Sequence, residues 1–281
     1  MVKEINRGFA AFAGISTLFL LAIMPRIRKR HDISIFKGWN FAHRGLHENG
    51  TDAPENSLPA FKKAVDEGFA IELDVQLTSD KVPVVFHDFN LKRACGTDLK
   101  VRDLTLDELR SRMRLFGTNE RIPTLAEVLE LVDGRVPLLV EIKSEDFDMT
   151  VCRRACELLD KYKGEYCVES FNPLVLLWFR MKRPNVIRGQ LSDNFIKDGV
   201  KGNKWMLTLH SNLVTNFATK PDFISFNHKY ANTLGFKLNR RLFKVPAFAW
   251  TIKNEKELNK AKKYFDTAIF DSFVPVHRRN E

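Results

Sequence analysis

The chain has 281 residues, 44% hydrophobic and 28% charged, a balance that excludes a disordered chain and suffices for one large core. Its net charge of +10 admits an anionic substrate or an anionic surface. The basic residues are scattered and no nucleic-acid motif is present, so no nucleic-acid partner is expected.

Gly8–Met24 is a 17-residue run without a charge. Lys3 and Arg7 precede it, and Arg26, Arg28, Lys29 and Arg30 follow. As a helix it would be about 26 Å long, slightly short of a bilayer core of about 30 Å. It is apolar on all faces, which disfavours a buried core helix. It has no convincing small-x-small cleavage site before Pro25, which disfavours a secretory signal. The expectation is a single-pass N-terminal membrane anchor. The excess of basic residues after the run then places the catalytic part in the cytoplasm by the positive-inside rule. Residues 1–37 read as anchor and basic linker, and residues 38–281 as one catalytic domain.

From Trp39 short apolar runs alternate with helical patterns. The predicted strands are Trp39–Arg44, Ile71–Thr78, Val82–His87, Pro137–Lys143, Tyr166–Phe171, Asn185–Leu191, Phe223–Phe226, Ala247–Ile252 and Ala268–Asp271. The predicted helices are Ser57–Glu67, Leu106–Met113, Leu125–Leu131, Thr150–Tyr162, Pro173–Arg183 and Glu255–Phe265. Thr105 and Glu108 form a capping box before one of them. Strand–helix alternation on this scale points to an α/β fold, a (β/α)8 TIM barrel preceded by the hydrophobic helix. Nine strands compete for eight places. Ser79–Lys81 leaves no room for a helix between the second and third, so one of these two lies outside the barrel wall. Cys95, Cys152, Cys156 and Cys167 include no C-x-x-C pair and read as free thiols.

The chemistry gathers at strand ends. Glu72 and Asp74 are i, i+2 on a strand and share a face. Two carboxylates in an apolar run are costly to bury unless a cation sits between them, and hard oxygen donors suit Mg²⁺ or Ca²⁺. Glu141 ends another apolar run with Lys143 on its face, and a barrel would gather all these ends on one rim. His43 and His87 each end a strand and suit a general acid and base. Arg44 and Lys143 suit an anionic phosphoryl group. Glu55 and Asn56, before a helix, either cap it or line the pocket. His31, His47, His210, His228 and His277 read as surface or structural residues. No Walker A loop, G-x-S-x-G elbow or H-E-x-x-H is present.

The ordered series His43-Arg44-Gly45, Pro54-Glu55-Asn56-Ser57, Glu72-Leu73-Asp74-Val75, His87-Asp88, Ile122-Pro123-Thr124-Leu125, Glu141-Ile142-Lys143, Ser170-Phe171 and Trp250-Thr251 resembles the glycerophosphodiester phosphodiesterases over about residues 40 to 275. The resemblance implies a TIM barrel that hydrolyses glycerophosphodiesters to an alcohol and glycerol 3-phosphate. It implies one divalent cation on Glu72, Asp74 and Glu141, and acid-base roles for His43 and His87. Arg44 and Lys143 would lie at the phosphate, with Glu55 and Trp250 in the substrate pocket. The family's closing T-D-x-P departs here to Asp271-Ser272-Phe273-Val274-Pro275, displacing the acid by one. The rival readings are a lysophospholipase D-like activity on lysophospholipids at the membrane and a tethered binding protein without activity. The nucleophile is water or a neighbouring glycerol hydroxyl.

Overall fold

A computed structural model describes residues 13–276 apart from residue 146. His277 lies outside the described residues, as does the first part of the Gly8–Met24 run. Residues 13–22 form the described part of helix α1. Then follow β1 (Asn40–His43), α2 (Leu58–Asp66), β2 (Ala70–Leu77), β3 (Pro83–Val85), α3 (Lys92–Cys95), α4 (Leu106–Arg112), α5 (Leu125–Val132) and β4 (Leu138–Ile142). The second half contains α6 (Thr150–Leu159), β5 (Tyr166–Ser170), α7 (Pro173–Lys182), β6 (Arg188–Ser192), α8 (Lys204–Ser211), α9 (Asn216–Thr219) and β7 (Phe223–Asn227). It ends with α10 (Leu234–Arg241), β8 (Ala247–Ile252), α11 (Glu255–Ala261) and β9 (Thr267–Phe270).

All strands but β3 run parallel, in the order β1-β9-β8-β7-β6-β5-β4-β2, and β1 pairs with β2 to close the barrel. The ninth strand is β3. It pairs antiparallel with β2, as the three-residue link demands, and its Val84 also forms an isolated bridge with Thr124. The helix starts follow local chemistry. Ser57 accepts from the Ala60 amide at α2, and both Thr105 and Thr124 build capping boxes with a glutamate three residues on.

Alternation along the strands separates two cores. Outward residues such as Ile71, Leu73, Val75, Val140 and Ile142 pack under the helices. Inward residues Phe41, Ala70, Leu139, Cys167, Phe223, Phe248 and Ile269 form an apolar floor inside the barrel. The Phe223 and Phe248 rings stack at 4.3 Å. Gly189 is required opposite them, because a Cβ there would lie 2.1 Å from the Phe223 ring. Ile33 and Phe36, in the stretch read as a linker, are buried and join this floor.

The membrane anchor is corrected. Among the described residues no helix is long and apolar enough to cross a membrane. The ten described residues of α1 span about 15 Å, half of a bilayer core. The end of the apolar run belongs to the barrel instead. Ile23 is fully buried, and its carbonyl accepts from the Asn216 amide at 2.9 Å. Lys220 Nζ donates to the Met24 carbonyl at 3.0 Å. The basic residues that suggested orientation are likewise in use. Arg26 Nε lies 3.3 Å from the buried Asp222 carboxylate, and His31 Nδ1 lies 3.2 Å from its other oxygen. Without a span, the positive-inside argument for a cytoplasmic domain has nothing to act on.

Candidate active site

Two residues beyond the floor, each strand presents its next inward side chain about 6–7 Å higher. Phe41 gives way to His43, Ala70 to Glu72 and then Asp74, and Leu139 to Glu141. In the same way Cys167 gives way to Glu169, Phe248 to Trp250, and Ile269 to Asp271. Register aligns them around the rim, with His43 beside Glu72, Asp74 beside Glu141, and Glu141 beside Glu169. A period-2 pattern thus turns an apolar floor into a polar mouth.

Oxygens of Glu72, Asp74 and Glu141 all lie within 4.8 Å of one another, and all three residues are buried. Lys143 Nζ donates to Glu141 at 3.1 Å and to Asp74 at 3.3 Å. Asn56 donates its side-chain amide to Asp74 at 2.9 Å, and Arg44 donates its backbone N–H to Glu72 at 3.1 Å. Burial raises the Glu72 carboxyl well above the usual range, and the Asp74 and Glu141 charges add to this. Burial opposes ionisation of Asp74 as well. There Lys143, His87 and Arg44 outweigh it and hold the carboxyl well below the usual range. Burial raises Glu141 despite Lys143, and burial with the Glu141 charge raises Glu169 well above its usual value. An all-oxygen triad that cannot ionise fully by itself fits a hard divalent cation, which would relieve the repulsion.

Both histidines are oriented by an acid. His43 Nδ1 donates to Asp271 at 3.0 Å, and its Nε2 lies 3.9 Å from Glu72. His87 Nδ1 donates to Asp88 at 2.6 Å. A carboxylate on Nδ1 fixes the tautomer and leaves Nε2 for chemistry. Burial, and then the Arg44 charge, lowers His43 to about 4, with Asp271 pulling the other way. The turn carrying His87 is pinned by Gln76, whose amide donates to the carbonyls of Phe86, His87 and Asp88. Gln76 follows Glu72 and Asp74 on the same face of β2.

Arg44 Nη1 donates to Glu55 at 2.8 Å. Arg93 clamps Glu55 through two bonds of 2.9 and 2.6 Å and also donates to Asp88 at 2.6 Å. Its guanidinium lies over the Phe116 ring. Glu55 therefore sits behind Arg44, and neither Glu55 nor Asn56 caps α2. Gly45 is needed at this turn. Its φ is +86°, and a Cβ would lie 2.8 Å from the Ala60 carbonyl carbon.

His43, Arg44, Glu72, His87, Glu141 and Trp250 line one cavity of about 110 Å³, with Glu169, Phe171, Leu191, Thr251 and Ile269. Lys143 and Asp74 join them through the bonds above. Sequence reasoning missed Glu169, Gln76 and Arg93, and it named Asp271 as the displaced acid of the closing motif without giving it a place in the site. Asp271 and Glu169 carried the same signal as Glu141, an acid ending an apolar run. His47, read as surface or structural, has its Nε2 3.5 Å from Asp271. Arg93 had no signal, since its partners are fixed only by the fold.

The sequence profile of the glycerophosphoryl diester phosphodiesterase family matches residues 43–274. The chain belongs to this family. It is 30% identical over 224 residues to YhdW of Bacillus subtilis, provisionally named a glycerophosphodiester phosphodiesterase. That match covers 76% of this chain and 86% of YhdW. A lysophospholipase D of Rattus norvegicus is 32% identical over 176 residues, covering 56% of this chain and 54% of that protein. The chain thus spans about half the length of that relative. Among solved structures, a glycerophosphodiester phosphodiesterase from Thermotoga maritima superposes with a TM-score of 0.64 at 25% identity, covering 85% of this chain and 96% of that one. A phosphodiesterase from Oleispira antarctica, solved in complex with the product sn-glycerol-3-phosphate, has a TM-score of 0.66 at 23% identity, covering 84% and 93%. This last likeness concerns the barrel fold.

Proposed function

We propose that residues 38–281 hydrolyse glycerophosphodiesters to an alcohol and glycerol 3-phosphate with one divalent cation, Mg²⁺ or Ca²⁺. The observation that carries the reading is the carboxylate triad, within 4.8 Å, between two histidines that each have an acid on Nδ1. Glu72, Asp74 and Glu141 would hold the cation, which when bound polarises a non-bridging phosphate oxygen and offsets its charge. Arg44 neutralises the rest of the phosphoryl charge, while Lys143 is held by Glu141 and Asp74 and offsets their charge. His43, unprotonated at neutral pH, takes the proton of the nucleophile, water or the adjacent glycerol hydroxyl. His87 donates a proton to the leaving alkoxide. Trp250 and Phe171, whose rings meet edge-on at 5.7 Å, form the wall for the organic part of the substrate.

That aromatic wall favours a second reading, lysophospholipase D-like cleavage of lysophospholipids, and the similarity to the rat enzyme supports it. The test is a panel of glycerophosphocholine, glycerophosphoethanolamine and lysophosphatidylcholine with Mg²⁺, Ca²⁺ or EDTA. The first reading expects EDTA-sensitive release of glycerol phosphate. Turnover of the lysolipid alone would select the second, and the absence of any metal-dependent turnover would sink both, leaving a binding protein.

A further inference from the structure

We infer that the connection from β6 into α8 is a lipid-contact element that holds the mouth of the cavity against an anionic lipid surface. The inference rests on the second of the two phosphodiesterase readings, since it says how an amphiphilic lysophospholipid would reach that site. Residues 193–203 leave the C-terminal end of β6 and so lie on the rim that bears the site. A file of rings leads outward. Trp250 and Phe171 line the cavity, and Phe171 meets Phe195, at the base of the connection, at 5.9 Å.

Beyond Phe195 the connection displays Ile196 and Val200, and the first turn of α8 displays Trp205 and Met206, all exposed, with Trp205 at 70%. Single exposed apolar side chains are ordinary, but four within eleven residues beside a cavity mouth are not. Lys197, Lys201 and Lys204 alternate with them against one acid, Asp198, which accepts from the Tyr230 hydroxyl at 3.3 Å. The display is braced. Val200 N donates to Phe195 O at 2.9 Å, Phe195 N to Ser211 Oγ at 3.1 Å, and Asn203 caps α8 by accepting from Trp205 N and Met206 N. Fixed apolar side chains interleaved with lysines match the two parts of a bilayer interface. Trp and Met enter the acyl boundary while the ammonium groups stay at anionic headgroups. The contact is with a lipid surface and does not cross it.

The test measures sedimentation of the full chain with phosphatidylcholine vesicles, with and without phosphatidylserine. The wild type is expected to bind only the phosphatidylserine vesicles, and less so as salt rises. Lys201→Gln with Lys204→Gln is expected to lower the partition coefficient about 30-fold, at about 1 kcal/mol per basic residue. Trp205→Ala with Met206→Ala is expected to lower it at least about 10-fold from lost apolar burial. Turnover of soluble glycerophosphocholine should be unchanged in both double variants, which separates contact from catalysis. Equal pelleting of wild type and variants overturns the inference. So does a Trp205/Met206 variant that alters only self-association by light scattering, because the occupant is then a second copy. Partition is read without catalysis, so a failed activity assay strikes the function reading alone.

Discussion

Replacing Glu55 by Gln tests the electrostatic frame behind the site while keeping side-chain shape. Glu55 accepts four side-chain bonds, one from Arg44, two from Arg93 and one from Asn49. Burial alone would raise its pKa. The Arg93 hydrogen bonds and the Arg44 charge reverse that and lower it from 4.5 to about 2. Such a shift corresponds to about 3 kcal/mol of folding free energy, at 1.36 kcal/mol per unit. Arg93 is 44% exposed, and solvent screening there reduces the figure to about 2 kcal/mol. The sign follows from the depressed value. The contribution is complete above the unfolded value of 4.5 and is lost as pH falls towards 2. Urea denaturation of wild type and Glu55→Gln at pH 7, 5, 4 and 3 should give a gap of about 2 kcal/mol at pH 7, falling to roughly half or less by pH 3. A gap that stays constant over this range, or never exceeds about 0.5 kcal/mol, would show that the bonds do not form as described.

His43→Ala and His87→Ala should each lower turnover at least about 100-fold with unchanged circular dichroism, and near wild-type rates in either would remove its acid-base role. Divalent cation at about 100 times its Kd should add about 2.7 kcal/mol of stability by linkage, read as a Tm rise that Asp74→Asn or Glu141→Gln abolishes. Glu72→Gln, measured in EDTA, should be at least as stable as wild type at neutral pH, because burial and the Asp74 charge already oppose its ionisation; a large loss would contradict that repulsion. Asp271→Asn should lower kcat at least about 10-fold with little change in KM, because it keeps a side chain beside His43 while losing the charge that fixes the ring. Equal kcat would leave Asp271 a merely structural neighbour.

The barrel was legible because strand and helix periods alternate cleanly from Trp39 onward, and the metal-type triad because its acids end apolar runs. Side-chain parity on β2 even carried one residue more than was taken from it, since Gln76 continues the face of Glu72 and Asp74. Other parts depend on tertiary partners. Helix α10, Leu234–Arg241, was not predicted, and Gly235 in its first turn weakens the local helix preference. It packs through Gly235, where a Cβ would lie 2.2 Å from the Asn212 carbonyl oxygen. The apolar run near the N-terminus meets the barrel only at its end, which hydropathy could not show, and Ile15, Leu18 and Leu21 stay exposed. Ile23 is covered by the barrel, and the Arg26 charge is met by Asp222 from the far half of the chain. Arg93 was invisible for the same reason, being one arginine among many until the fold sets Glu55 and Asp88 around it.

Charge balance gives the rim its internal logic. Glu72, Asp74 and Glu141 carry three negative charges when ionised, and Lys143 returns one of them. The remainder of two matches one divalent cation. A buried remainder of that size is otherwise removed by protonation, which is the direction the raised Glu72 and Glu141 carboxyls take. Glu169, next in register, is pushed the same way, because burial and the Glu141 charge both oppose a further negative charge there. Arg44 shares in this balance, since its Nε lies 3.5 Å from Asp74. It is shared with Glu55, which Arg93 already satisfies with two bonds, so its guanidinium can turn to a phosphodiester without leaving Glu55 bare. On this account Arg93 frees Arg44 without touching substrate, and the residue that the sequence marked least would be the one that lets the best-marked arginine act.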